Sequence, residues 1–314
     1  MSTYFLRRLL LVIPNLLLVT VMIFALVRFL PGDTLTVMLG EYGYGGDLES
    51  LRQKLGISQP IHEQYLSWLG RAVRGDLGES LWTKRGAVEE MMHRIPVSLE
   101  LGLLAMLVSL LISVPIGVLA AVRQDTWADY ISRTAAIGFL SAPIFWLGIM
   151  VVVLPSVWFG WTPPLRFTPF TKDPLANLAQ FAIPAFILGA HSTGTVLHMT
   201  RAMMLEVLRQ DYVRTAWAKG LREQTVIYRH ALKNAVIPVV TVIGLQIPTF
   251  IGGSVIIEQI FGLPGAGQFL VEVLGKRDYT MVQSLNLFFA LIVLGSNLAV
   301  DISYGWLDPR IRYN

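Results

Sequence analysis

Six stretches of this chain run for about twenty residues with almost no charged side chain, and this feature leaves few possible folds. A helix rises about 1.5 Å per residue, so about 20 apolar residues match the ~30 Å hydrocarbon core of a bilayer. Only 15% of the 314 residues are charged, whereas soluble domains average about 25%. We therefore predict six transmembrane helices, over residues 9–30, 97–122, 134–159, 181–199, 236–257 and 284–300.

The distribution of Lys and Arg predicts the orientation of these helices. With the N-terminus inside, thirteen Lys and Arg lie in the inner segments and four in the two short outer loops. Because positive residues concentrate on the cytoplasmic side, we expect both termini in the cytoplasm. This expectation takes the membrane to be a bacterial inner membrane. The predicted segments are a cytoplasmic N-terminus (1–8), a first span (9–30), an extracytoplasmic helical loop (31–96), a five-span core (97–305) that includes a cytoplasmic loop (200–235), and a cytoplasmic tail (306–314).

The long outer loop contains three helical patterns. Residues 47–55 carry leucines on one face, a second helix is expected between Pro60 and Gly75, and a third short helix is expected at 88–92, before Pro96. The apolar faces of these helices either cover the ends of the spans or meet an external partner.

The longest cytoplasmic loop contains a short amphipathic helix. Asp211 is the expected N-cap, Val213, Ala216 and Trp217 share one face, and Gly220 is the expected stop. A helix of two to three turns cannot span a membrane, so it should lie across the cytoplasmic face. It either rests on anionic lipid or docks a soluble partner and transmits that partner's motion.

Motifs for catalysis and for cofactor binding are missing from the sequence. It has no Cys, which excludes thiol nucleophiles and zinc–thiolate sites. The only Gly-Lys pair, Gly275-Lys276, has Leu270 where a phosphate-binding loop needs its first glycine. His191 and His198 lie two helical turns apart, which is a weak metal signal without a carboxylate beside them. The basic residues are dispersed, so nucleic-acid binding is not expected. These features favour a transport or scaffold component over an enzyme.

The fifth predicted span is rich in small and polar residues, among them glycines at 244, 252 and 253 and a proline at 248. Such a helix is either a close packing seam or the wall of a pathway. The residues that would line a pathway are Gln246, Thr249, Gly252, Gly253, Ser254 and Glu258.

Four groups of motifs resemble a known transporter family. They are Arg7-Arg8 followed by Leu30-Pro31-Gly32-Asp33; Gly75-Asp76-Leu77-Gly78 with Ser80; Gln210 to Ala216 with Ala218-Lys219-Gly220 and His230 to Ala235; and Pro264-Gly265, Arg277-Asp278-Tyr279 and Asp308 to Arg312. On these motifs the chain resembles the integral-membrane permease subunits of ATP-binding-cassette importers, in the dipeptide, oligopeptide and nickel branch. The motifs extend over nearly the whole chain.

This resemblance implies an all-α membrane protein with the six-helix fold of type I importer permeases. It implies half of a translocation pathway for di- and oligopeptides, completed by a second permease subunit. Two cytoplasmic ATPase subunits would bind ATP and Mg²⁺, so this chain would need no cofactor, and an extracytoplasmic binding protein would dock near the outer loop. The resemblance also makes the cytoplasmic helix a coupling helix, formed by Asp211, Tyr212, Val213, Arg214, Thr215, Ala216, Trp217, Lys219 and Gly220.

The chain departs in places from the general coupling-loop pattern of such permeases. Arg214 and Thr215 replace Glu-Ala, and Lys233 replaces Pro, but the peptide branch carries the same substitutions. Trp217 stands where Arg is frequent. A nickel or other small-solute importer is an alternative, for which two histidines are the only hint. An ATP-independent channel or carrier is another, and it would be favoured by a charge at mid-span or a pore-forming repeat.

Overall fold

The computed structural model describes residues 2–29, 59–80, 82–164 and 166–307. Within these ranges the chain is helical, apart from turns, extended connections and one isolated bridge between Glu79 and Gly86. A π-helix, Thr225–Leu232, leads directly into the α-helix that begins at Lys233. The α-helices are α1 (Ser2–Phe29), α2 (Ile61–Val73), α3 (Ala87–Val122), α4 (Trp127–Ser141), α5 (Ile144–Phe159), α6 (Pro174–Leu208), α7 (Asp211–Ala218), α8 (Lys233–Leu245), α9 (Ile247–Phe261), α10 (Ala266–Gly275) and α11 (Tyr279–Leu307).

Within the described residues, five helical segments are long and apolar enough to cross a membrane. They are Leu10–Phe29, Ala87–Val122, Pro174–Leu208, Thr225–Leu245 and Tyr279–Ile302. Two further helix pairs, α4 with α5 and α9 with α10, pass the same test together but are not straight, and α4 and α5 meet at 92°. The described chain therefore has five to seven candidate spans, a range that contains the predicted six, and the all-α fold is confirmed.

Two predicted spans are not continuous helices. The span predicted at 134–159 breaks at Ala142 and Pro143, both of which have extended backbone, as expected because proline disfavours helical geometry in the residue before it. The span predicted at 236–257 divides at Gln246, where α8 ends and α9 begins. Pro248 lies in the first turn of α9, where its missing N–H is tolerated.

The outer-loop predictions have different outcomes. The helix expected between Pro60 and Gly75 is confirmed as α2. The separate short helix expected at 88–92 was wrong, because these residues form the first turns of the 36-residue α3 and Pro96 lies inside it. The helix expected at 47–55, with Gly56, lies outside the described residues, as do the motifs at 30–33 and 308–312.

The described chain divides into two compact units. In the unit formed by Ser2–Val97 and Pro264–Gly295, one buried cluster joins α3, α10 and α11 through Met91, Phe269 and Leu285. The turn before α3 is held in the same unit by Ser80, whose hydroxyl donates to Asp278 Oδ2 at 2.5 Å.

The other unit is formed by Ser98–Leu263 and Ser296–Asn314 and is built around α6. This helix contacts α4, α5, α8 and α9, and Phe181, Leu188 and Met204 are fully buried along it. A neighbouring cluster packs α6 against the π-helix and α8 through Met204, Ile227 and Ala235. The cytoplasmic end of this core, as the charge distribution predicts it, leads directly into α7.

Candidate functional site

The short helix α7 is seated on the helices that precede and follow it. Val213 and Ala216, three residues apart, are both buried. They contact Val226 in the π-helix together with Val207 and Leu208 at the end of α6. The helix is therefore amphipathic, as predicted, and Val213 and Ala216 pack on protein. The prediction was wrong for Trp217, which was expected on the same face but is 45% exposed, because the neighbouring segments cover only the stripe of Val213 and Ala216.

The end of α7 has the expected geometry. Gly220 adopts φ +74°, its N–H donates to the Trp217 carbonyl at 2.9 Å, and the N–H of Leu221 donates to the Ala216 carbonyl at 3.4 Å. These two bonds form the Schellman arrangement that satisfies the last carbonyls of a helix. The predicted stop at Gly220 is confirmed.

The start of α7 differs from the prediction. The N-cap is Gln210, which has extended backbone, and no side chain caps the helix. Asp211 instead occupies the first helical turn, with its carboxylate 3.4 Å from Arg214 Nη1. An acidic side chain is favoured in a first turn because it lies near the positive end of the helix dipole. Asp211 is therefore favourable at this position although its side chain makes no capping hydrogen bond.

A polar contact fixes the angle of α7. Asn234 Nδ2 in α8 donates to the Tyr212 hydroxyl at 2.8 Å, and that hydroxyl donates to the His230 carbonyl at 3.3 Å. Tyr212 thus joins α7 to both the π-helix and α8. Because α7 also packs on the end of α6, a force applied to it reaches three helical segments.

The rest of the surface of α7 is uncovered in this chain and chemically mixed. The side chain of Arg214 is 74% exposed, and Trp217 is 45% exposed. Such a surface, rigidly held and combining an aromatic ring with charged groups, is suited to binding another protein. Its exposed residues are Asp211, Tyr212, Arg214, Thr215, Trp217, Ala218, Lys219 and Gly220.

A buried ion pair lies in the same unit, and sequence reasoning did not find it. Arg201 in α6 donates through Nε and Nη2 to the two carboxylate oxygens of Asp129 in α4, at 2.7 and 2.6 Å. Asp129 is fully buried and also accepts the N–H of Asp125 at 3.1 Å. The partners are 72 positions apart, so local spacing carried no signal for the pair.

The six predicted pathway residues do not share one face. Thr249 and Gly252 are exposed, three residues apart on α9, and the Thr249 hydroxyl donates to Gln246 Oε1 at 3.3 Å. Ser254 and Glu258 are buried, one turn apart on another face.

Two glycines of the predicted fifth span lie at close contacts. A side chain at Gly253 would collide with Leu188 of α6, and one at Gly244 would collide with Val300 of α11. These are two separate close contacts, of α9 with α6 and of α8 with α11. The assignment of the six residues to a pathway stays a prediction.

The two histidines lie along α6 and are half-buried. Among the described residues, no group of three or more His, Asp or Glu side chains is arranged to hold a metal ion. In the part of the chain that the structure describes, His191 and His198 therefore have no carboxylates beside them that would complete a metal site.

Two models of known protein families match this chain and together identify its family. Residues 113–313 match the model described as the binding-protein-dependent transport system inner membrane component, and residues 1–102 match the model of the N-terminal part of such a membrane component. The chain belongs to this family. Membership confirms the resemblance predicted from the motifs and makes the chain a membrane subunit of an ATP-binding-cassette importer rather than an enzyme.

Relatives in this family match the chain from end to end. The oligopeptide transport system permease protein AppB of Bacillus subtilis is 40% identical, with all of both chains covered. The di/tripeptide transport system permease protein DppB of Pseudomonas aeruginosa and the dipeptide transport system permease protein DppB of Escherichia coli are each 39% identical. Both alignments cover all of this chain and 99% of the relative.

Proposed function

We propose that the chain forms one half of the membrane pathway of an importer for di- and oligopeptides. The observation that carries this proposal is the end-to-end similarity to permeases named for peptide transport, at 39–40% identity. A second permease subunit completes the pathway, and an extracytoplasmic binding protein delivers the peptide. Both termini lie in the cytoplasm, and the membrane is the bacterial inner membrane.

In this proposal α7 is the coupling helix, and its exposed face docks on a cytoplasmic ATPase subunit. Two observations support this proposal. Arg214 and Trp217 are exposed, and the buried residues of α7 together with Tyr212 contact three neighbouring helical segments. Two ATPase subunits bind ATP and Mg²⁺, which fits the lack of a phosphate-binding loop in this sequence. Movement of α7 on nucleotide binding then shifts α6 and α8.

Gentle extraction of the chain from its native membrane tests this assembly. We expect a second permease and two copies of a nucleotide-binding subunit to co-purify with the chain. Identifying each subunit and quantifying it relative to this chain is the measurement. Recovery of the chain alone, or only with further copies of itself, would contradict the proposal and favour an ATP-independent channel or carrier.

The transported solute is tested separately on the purified complex with its binding protein. We expect labelled di- and oligopeptides to stimulate ATP hydrolysis and Ni²⁺ to leave it unchanged. Stimulation by Ni²⁺ and not by peptides would assign the complex to the nickel alternative.

A further inference from the structure

The helix α7 is joined to its neighbours by two kinds of contact, which reach different elements. Its buried residues Val213 and Ala216 pack on Val226 of the π-helix and on the end of α6. Among the described residues, no member of this apolar cluster belongs to α8. A polar contact reaches α8 instead: Asn234, the second residue of that helix, donates through Nδ2 to the Tyr212 hydroxyl at 2.8 Å.

The same two side chains converge on a backbone oxygen of the π-helix. The Tyr212 hydroxyl donates to the His230 carbonyl at 3.3 Å, and Asn234 Nδ2 donates to the same oxygen at 3.4 Å. A carbonyl oxygen has two lone pairs, so it can accept both bonds. Turns of π-helix are rare and occur frequently at functional sites. Asn234 and Tyr212 thus hold the first turn of α7 at the junction between the π-helix and α8.

The exposure of this contact argues against a main role in stability. Tyr212 is 43% exposed and Asn234 is exposed, and a hydrogen bond between exposed neutral groups competes with bonds to water. The buried cluster around Val213 already holds α7 on α6 and the π-helix. The polar contact adds a connection to α8, which leads directly into α9, where Thr249 and Gly252 of the predicted pathway lie.

We propose that Asn234 is a positioning residue for coupling, in addition to the residues of α7 itself. Its hydrogen bond to Tyr212 makes α8 move with the first turn of α7, so that a change in the pathway span on peptide delivery reaches the docked ATPase. The apolar cluster attaches α7 to α6, and the polar contact links it to the span that carries the predicted pathway residues. This inference rests on the proposed function, because it takes α7 to be the coupling helix.

Variants of the two side chains in the assembled complex test this role. Asn234→Ala and Tyr212→Phe each remove one partner of the hydrogen bond. Tyr228→Phe is the matched control, because it removes the hydroxyl of a tyrosine in the π-helix that is 60% exposed. In Asn234→Asp the Tyr212 hydroxyl can donate to the carboxylate, so this conservative variant keeps the connection. The readouts are the ratio of ATP hydrolysis with and without peptide, in the presence of the binding protein, and the unfolding temperature.

We expect Asn234→Ala and Tyr212→Phe each to lower this ratio by between about twofold and about tenfold, the range that the loss of one hydrogen bond supplies. The double variant should lower it no further than either single variant, since all three lack the same bond. Asn234→Asp and Tyr228→Phe should keep the ratio of the unaltered complex. The unfolding temperature should be the same in all variants.

Normal stimulation in Asn234→Ala, or an equal loss in Tyr228→Phe, would overturn the inference and leave the proposed function intact. So would additive losses in the double variant, or a lower unfolding temperature that accompanies the loss, because these would give the residues separate or merely structural roles. A lack of peptide stimulation in the unaltered complex would instead overturn the proposed function, and the inference with it.

Discussion

At the scale of the residue, the Asp129–Arg201 pair is the most demanding feature of the fold. A buried carboxylate is costly unless its charge is paired and its lone pairs accept hydrogen bonds. Asp129 meets both conditions through the two nitrogens of Arg201 and the N–H of Asp125. Removing one partner of a buried pair leaves the other charge buried and unpaired, whereas replacing both with apolar side chains does not.

Asp129→Asn therefore destabilises the protein, by up to about 3 kcal/mol, because it leaves the charge of Arg201, only 17% exposed, without its partner. Thermal unfolding of the purified complex measures the loss as a lower transition temperature. Asp125→Asn is the matched control in the same turn, because Asp125 is exposed and its φ of +61° suits Asn. The double variant Asp129→Leu/Arg201→Met should recover much of the loss. Equal stability of D129N and D125N would contradict the role of the pair.

At the scale of the element, α7 and its stop at Gly220 carry the coupling proposal. Gly220 has a left-handed backbone, and no atom lies within 4 Å of where its Cβ would be. A substitution there acts through backbone conformation and not through a clash. Residues that tolerate the left-handed region preserve the end of the helix, and β-branched residues do not.

We expect Gly220→Val to reduce peptide-stimulated ATP hydrolysis at least several-fold, because the strained stop shifts the exposed face of α7. Gly220→Asn should stay close to the unaltered protein, since Asn adopts this conformation at little cost. The readout is the ratio of ATP hydrolysis with and without peptide in the purified complex. Normal stimulation in both variants would show that the end of α7 has no part in coupling.

The contrast between confirmed and wrong predictions follows from the behaviour of proline and glycine. Glycines at 75 and 220 ended α2 and α7 as expected, because a left-handed residue stops a helix wherever it occurs. Prolines were ambiguous: Pro96 and Pro184 lie inside α3 and α6, whereas Pro143 and Pro248 lie at helix starts. Neighbouring helices can satisfy the carbonyl that a proline frees, so tertiary packing decides between a continuous and a broken helix.

The features of the candidate site also divide into those that local sequence predicts and those that depend on tertiary packing. The amphipathic spacing of Val213 and Ala216 was sufficient to predict α7, since both residues are local to it. Two other contacts, the Asp129–Arg201 ion pair and the hydrogen bond between Asn234 and Tyr212, connect separate helices. The periodicity of the sequence within one helix cannot predict such contacts.

At the scale of the whole molecule, α6 supplies a geometric test of the predicted orientation. This 35-residue helix connects the proline-rich loop at 160–173 to α7, so these two segments emerge at its opposite ends. Lys172 in that loop and Arg222, just after α7, are both exposed. The excess of positive charge predicts that the Arg222 side faces the cytoplasm.

Single cysteines at these two positions report the orientation in intact cells. A membrane-impermeant maleimide should label Lys172→Cys at once and Arg222→Cys only after the membrane is opened. Labelling in the reverse order would invert the predicted topology and place α7 on the wrong side for an ATPase.

Uptake into lipid vesicles tests the central claim most directly. The complex containing this chain is reconstituted, ATP and Mg²⁺ are enclosed, and the binding protein and a labelled dipeptide are added outside. We predict that the dipeptide accumulates against its gradient only when hydrolysable ATP is inside and the binding protein is outside. Dipeptide flux that is unaffected by ATP, and that never exceeds equilibration, would contradict a coupled peptide importer.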